Sequence, residues 1–204
     1  MTGPAAGEFN PVLELWFGEL DERGIADAEH VARWWKKDES FDELLRSRFG
    51  TLHEAVVGGE CDGWLESPRG RLAHVIVLDQ FSRNMFRGTA ETFAHDARAL
   101  EVARGGVQCG VDHALAHDER GFLYMPFMHS EEVAAQERCV QLFSAWRDSL
   151  EGELRQRAES SVDFAIQHRD IVRRFGRFPH RNALLEREST PEEIEFLKQP
   201  GSSF

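Results

Sequence analysis

Apolar residues recur at helical spacing along nearly the whole chain, and no clean period-two run bounded by hairpin turns interrupts them, so the sequence predicts an all-α fold. Asn10 as N-cap, Pro11 at the first helical position and the spacing of Val12, Leu15 and Trp16 predict a first helix to about Leu20. His30 to Trp35 reads as a short second element. Ser40 followed by Glu43 matches a capping box for a helix whose face carries Phe41, Leu44, Leu45, Phe49, Leu52 and Val56. That helix stops at Gly58 and Gly59, and Gly50 sits inside it, where the helix either runs on or splits in two.

Ser67 and Pro68 open the next helix, which runs to about Asn84 and is apolar on more than one face between Leu72 and Phe81, as a central, surrounded helix must be. Thr89 caps a helix carrying Phe93, Ala97 and Leu100 and ending at Gly105 and Gly106. A shorter piece from about Asp118 to Met125 halts near Pro126. Ser130 caps the helix of Val133, Val140, Phe143, Trp146 and Leu150, and a long helix from Glu153 to Phe175 stops at Gly176. Thr190, Pro191 and Glu193 write a full start signal for a last helix through Leu197, ended by Pro200. Short connections suit about eight or nine antiparallel helices in a single domain over residues 1–204, with its core at about 11–198. No linker divides the chain, and no 34-residue self-similarity recurs, so any solenoid character is degenerate.

Charge narrows the partners. In 204 residues, 24 Lys and Arg stand against 36 Asp and Glu, and the resulting net charge of −12 repels phosphate backbones and anionic headgroups, which argues against nucleic acid and membrane. Apolar runs such as Val75 to Leu78 fall far short of the ~20 residues of a membrane span, and no basic start followed by an apolar stretch marks the N-terminus. Cys61, Cys109 and Cys139 are an odd set at long spacings, which speaks against a disulfide framework and a thiolate zinc site and for a cytoplasmic location.

Three stretches carry candidate chemistry. In Asp79-Gln80-Phe81-Ser82-Arg83-Asn84-Met85-Phe86-Arg87-Gly88 the most apolar helix ends in polar groups, with Asp79 and Arg83, and Gln80 and Asn84, one turn apart. Buried polar groups need partners, so this end either builds an internal network fixing helix register or lines a cavity. In His168-Arg169-Asp170-Ile171-Val172-Arg173-Arg174-Phe175-Gly176-Arg177-Phe178-Pro179-His180-Arg181-Asn182, His168 shares an apolar face with Phe164, Ile171 and Phe175. It reads either as a satisfied core histidine or as a functional one. From His168 to Arg187 six arginines face two acids, Asp170 and Glu186, a positive island that either holds a phosphate or carboxylate or pairs with the chain's own acids. In Met125-Pro126-Phe127-Met128-His129-Ser130-Glu131-Glu132, His129 precedes a predicted helix start, where N–H groups attract an anion or Ser130 and Glu131 simply cap. His113 and His117 have metal-ligand spacing without the acid of H-E-x-x-H, and no metal or cofactor is expected. Phosphate-loop, dinucleotide and nucleophile-elbow motifs are absent.

Together, Leu78 to Gly88, the segment around Pro126 to Glu131 and the run from His168 to Asn182 resemble the domain of unknown function 924 family, from about Val12 through the last helix. The resemblance implies a helical fold similar to tetratricopeptide arrays. Ser82 departs from it, since many relatives carry proline there. The family brings no established reaction and so no catalytic residue to carry over.

Two functions compete with a purely structural role. One is a binding module whose groove offers Arg83, Arg87, Arg177, His180 and Arg181 to an anionic small molecule or an acidic peptide segment, with Asp79, Gln80, Asn84, His129, His168, Arg169 and Asn182 around it. The other is an enzyme acting on a small phosphorylated or carboxylated substrate, with His129, His168 or His180 as acid or base and the arginines as clamps. The sequence leaves the ligand and the oligomeric state open.

Overall fold

The computed structural model describes residues 7–203, and among these there are helices and no strands. The chain gathers into two compact units, Met1–Arg87 with Glu91–Pro126, and Gly88–Ala90 with Phe127–Phe204. Composition does not mark the division, because one continuous helix carries it at Pro126.

In the first unit, α1 (Asn10–Phe17) starts one residue earlier than a cap at Asn10 requires: Phe9 is the N-cap, and Gly18, at a φ of 63°, ends it before Leu20. The second helix, α2 (Ala28–Trp34), is capped by Asp27, whose carboxylate accepts from the N–H groups of Glu29 and His30. α3 (Glu39–Gly58) is capped by Asp38, not by Ser40, because Asp38 reaches the N–H groups of Ser40 and Phe41. It runs unbroken through Gly50 and stops at Gly59, which adopts the left-handed conformation.

The central helix begins as read, with Ser67 accepting from the N–H of Gly70 and Pro68 in the first turn of α4 (Pro68–Val75). It then widens into a π-helical turn over Ile76–Phe81, every residue of it buried, before closing as α5 (Ser82–Met85). α4 packs against α1 and α6 (Asp96–Gln108), and the π turn packs against α3 and α6. Thr89 does not cap α6, which starts at Asp96 behind a 3₁₀ turn, Ala90–Phe93.

Gly105 and Gly106 lie inside α6 instead of ending it. Their function is close approach: a Cβ on Gly106 would meet Cδ of Arg71 at 2.8 Å, and Arg71 crosses there to donate to the carbonyls of Val102 and Leu65 at 3.2 and 2.9 Å. The real stop lies just beyond the helix, at Gly110 with a φ of 71°. α7 (His117–His129) continues through Pro126, forgoing one backbone bond.

The second unit is built on a hairpin of α8 (Val133–Asp148) and α9 (Gly152–Phe175), joined by three residues and packed along their length. Glu132, not Ser130, is the N-cap of α8; Ser130, two residues earlier, accepts from the N–H of Glu132. Gly176, left-handed, ends α9 as expected. Beyond a 3₁₀ turn, Pro179–Arg181, the last helix α10 (Pro191–Phe196) carries the full capping box of Thr190 and Glu193. Ile171, Val172 and the fully buried Phe178 form a core here, with Phe175 and Phe196 packed on it.

Candidate functional site

Of the residues singled out in the sequence, Asp79, Gln80, Arg83, Asn84 and Arg87 lie in the first unit, and His129, His168, Arg169, Arg177, His180, Arg181 and Asn182 in the second.

In the first unit the π turn sets a buried polar network. Asp79 is 0% exposed and sits 3.0 Å from Nη1 of Arg83, which also donates to the Asp79 carbonyl. The rest of the Arg83 fork closes on Asp96, with Nη1 to Oδ1 at 2.8 Å and Nη2 to Oδ2 at 3.0 Å. Gln80 donates to Asp79 at 2.6 Å, and Asn84 donates to the Gln80 carbonyl at 2.8 Å. Arg87 grips buried Asp42 on α3 through two bonds, at 2.7 and 3.0 Å, and also donates to Asn84. The i,i+4 pair of Asp79 and Arg83 was legible. Asp96 and Asp42 were not, because they come from other helices, 13 and 45 residues away. Both arginines therefore serve carboxylates of their own unit.

The arginine island of the second unit is largely neutralised in the same way. Arg169 pairs with Asp170, Arg173 with Glu137, Arg174 with Glu192 and Arg177 with Glu193. Arg187 closes on Glu131 at 2.7 and 2.9 Å and donates to the side chain of Asn182 and the Phe178 carbonyl. Burial opposes the charge on Glu131, but the Arg187 fork and the Phe178 N–H, at 2.7 Å, outweigh it and hold its carboxyl below the usual range. Asn182 is 1% exposed and donates to Ser189 and Glu193.

The other candidates of this unit form a cluster around the Phe178 ring. The His168 imidazole meets it edge-on at 5.7 Å, His180 lies at 5.5 Å, and the Arg181 guanidinium sits over it at 4.6 Å. His168 and Arg181 are 5% and 6% exposed, while His129 and His180 are half-buried. His168 Nδ1 faces the carbonyl of Phe164 at 2.8 Å; a carbonyl only accepts, so Nδ1 carries the hydrogen and Nε2 is the lone-pair nitrogen. Phe164 itself is exposed, because its side chain leaves the core face that His168 and Ile171 share.

Arg181 donates to the carbonyl of His129, and Gln136 donates to the carbonyls of Met128 and Ser130 at 2.6 and 2.7 Å. His129 thus closes the C-terminal end of α7 and does not open a helix, and a guanidinium there complements the negative end of the helix dipole. Burial pushes His168 down to about 3 and His180 down to about 4, with the Arg181 charge adding to the effect on both. Among the described residues no group of three or more His, Cys, Asp or Glu side chains is placed to hold a metal ion. The sequence names Glu131 only as a capping residue and Arg187 only as one arginine of the island, and gives no sign of their pairing or of Gln136.

Residues 12–201 match the family described as "Bacterial protein of unknown function (DUF924)". The chain belongs to that family. Among solved structures it is similar to a protein of unknown function, ATU0120, from Agrobacterium tumefaciens, with 39% identity, a TM-score of 0.75, and coverage of 93% of this chain and 96% of that one. No curated protein matches the sequence. No helix among the described residues of this DUF924 member is long and apolar enough to cross a membrane.

Proposed function

We propose that this DUF924 chain is a helical binding module, with tetratricopeptide-like character, that receives the anionic group of a small molecule or an acidic segment at the cluster of His129, His168, His180 and Arg181. The observation that carries the reading is the gathering of two imidazoles and a guanidinium around the Phe178 ring in a chain whose net charge is −12. Arg83, Arg87, Arg177 and Arg187 each spend a two-pronged fork on a carboxylate, and the Arg181 guanidinium lies over the Phe178 ring and donates to the His129 carbonyl. A planar guanidinium fork beside half-buried His129 and His180 is the kind of side-chain set that suits an oxyanion. The three cysteines are free thiols, in keeping with a reducing, cytoplasmic setting.

A thermal-shift series with sulfate, phosphate and acetate at constant ionic strength tests the reading. An anion at a hundredfold its dissociation constant adds about 2.7 kcal/mol of stability. His180→Asn and Arg181→Ala abolish the shift. If no anion raises the melting temperature, or the shift survives both substitutions, the reading fails.

The burial-depressed His168 and His180 favour acid–base catalysis as a second reading, since perturbed histidines gather where proton transfer is needed. Turnover of a phosphate ester or carboxylate substrate that is lost in His180→Asn with binding retained separates that reading from binding alone.

A further inference from the structure

Away from the Phe178 cluster, the first unit holds a carboxylate and an arginine that meet without completing their pairing. Asp112 stands in the 3₁₀ turn Val111–Ala114 and is 4% exposed. Its Oδ2 accepts from the Tyr124 hydroxyl at 2.6 Å and lies 3.5 Å from Nη2 of Arg120, on α7. Its Oδ1 is buried and meets no donor among the described residues, and Nε of Arg120 is buried and meets no acceptor among them. A guanidinium and a carboxylate side by side ordinarily close through two parallel bonds. Here one prong is held elsewhere, because Nη2 of Arg120 donates to Nδ1 of His113, an exposed side chain.

We infer that this trio is a proton-operated clasp: neutral His113 holds the Arg120 fork away from Asp112, and a proton on His113 releases the fork to close on both carboxylate oxygens.

The chemistry of each atom dictates this. A guanidinium has donors and no acceptor, so the bond from Arg120 fixes Nδ1 of His113 as the lone-pair nitrogen and puts the ring hydrogen on Nε2. A proton taken up by this imidazole goes to Nδ1, which turns the acceptor into a donor and sets two cations face to face. The bond then breaks. His113 turns to water or toward Asp112 Oδ2, 4.0 Å from its Nε2, and the freed Nη2 lies beside a carboxylate with one oxygen that no donor serves. Leaving a buried acceptor unserved is costly, and that cost draws the fork onto Asp112.

The ionisable groups that reach His113 are Asp112 beside it in the chain and Arg120 on α7. α4 and α6 also pack on this turn, and among the described residues neither sends a charged side chain to bond with it. The Tyr124 hydroxyl shares Asp112 with the fork and therefore senses its closing.

The chain has one tyrosine, so isotope labelling at its Cζ gives a single resonance that reads the state of Asp112. Nuclear magnetic resonance of the full chain follows that signal and the histidine signals from pH about 8 to about 5, the span in which imidazoles change charge. The Tyr124 and His113 signals are expected to move along curves with one midpoint. His113→Gln, a change at an exposed side chain, offers Arg120 a fixed acceptor and flattens the Tyr124 curve. Arg120→Lys keeps the charge without the fork, so His113 still titrates while the Tyr124 curve loses most of its amplitude. A Tyr124 signal that stands still as His113 titrates overturns the inference. So does one that still moves in His113→Gln, which assigns the movement to another group, or one that keeps its full amplitude in Arg120→Lys, which shows that it reads only the charge of His113.

Discussion

Arg177 and Glu193, 16 residues apart, are joined by two bonds, Nε to Oε1 at 2.7 Å and Nη2 to Oε2 at 2.8 Å, although Glu193 is only 2% exposed. The same carboxylate accepts from the Thr190 N–H at 2.7 Å and from Asn182, so one acid caps α10, ties the turn after α9 to it and neutralises an arginine.

Glu193→Gln keeps the shape and loses the charge, so the fork of Arg177 faces a weaker acceptor and stability falls by about 2 kcal/mol near neutral pH. The pH dependence has a definite sign. The Arg177 fork holds the Glu193 carboxyl at about 2, below its ordinary 4.5, so the native state favours the ionised form. The contribution is complete above 4.5 and fades as the pH falls toward 2. Urea denaturation at pH about 7 and about 3 measures both. A variant no less stable than the parent at neutral pH refutes the coupling.

Arg83 bridges two carboxylates, one of them fully buried. Arg83→Ala removes the guanidinium that faces the buried Asp79 carboxylate and lowers stability by about 3 kcal/mol. Arg83→Lys keeps a charge but loses the fork that spans Asp79 and Asp96, and its loss is intermediate. Chemical denaturation of the two variants checks the order; equal losses show that the fork, and not the charge, carries the pairing.

The helical character and several helix ends were legible in the sequence because their signals are local. Pro68 behind Ser67, Gly176, and Thr190 with Glu193 act within one turn, and each stands where it was read. Signals failed where a tertiary contact took over. Gly105 and Gly106 looked like a stop but make room for Arg71, and Ser40 lost its cap to Asp38 two residues earlier. The candidate site divides along the same line. The presence of arginines and histidines was plain, but which arginines are consumed depends on Asp42, Asp96, Glu137 and Glu192, whose proximity only the packing of helices determines.

His53 gives the first unit an acid sensitivity. Its Nε2 lies 2.8 Å from Ser82 Oγ, its ring is 5.3 Å from both His95 and Phe86, and burial, with the His95 ring adding to it, lowers it from 6.5 to about 4. The native state therefore binds the proton more weakly than the unfolded chain. Stability is full above 6.5 and is lost as the pH falls to about 4, below which this contribution is constant. His53→Gln flattens that limb of the stability profile, measured by denaturant midpoints across the window. An unchanged slope assigns the acid sensitivity to other groups.

Gly50 and Gly70 are both helical glycines, and alanine at the two has opposite effects. Gly50 lies mid-way along α3 with nothing within 4 Å of where a Cβ would stand, so the position carries the entropic cost of glycine without any packing reason for it. Gly50→Ala stabilises the fold by about 0.5–1 kcal/mol. Gly70 sits in the first turn of α4, where a Cβ would fall inside contact distance of the Trp64 carbonyl oxygen and lie 2.7 Å from Ser67 Oγ, the atom that caps the helix through the Gly70 N–H. Relief requires moving backbone or breaking the cap, so Gly70→Ala destabilises by about 1–3 kcal/mol despite alanine's better helix propensity. Melting temperatures of the two variants move in opposite directions. If Gly70→Ala melts at or above the parent, the close approach of Trp64 to α4 is not a packing constraint, and the glycine there is as replaceable as Gly50.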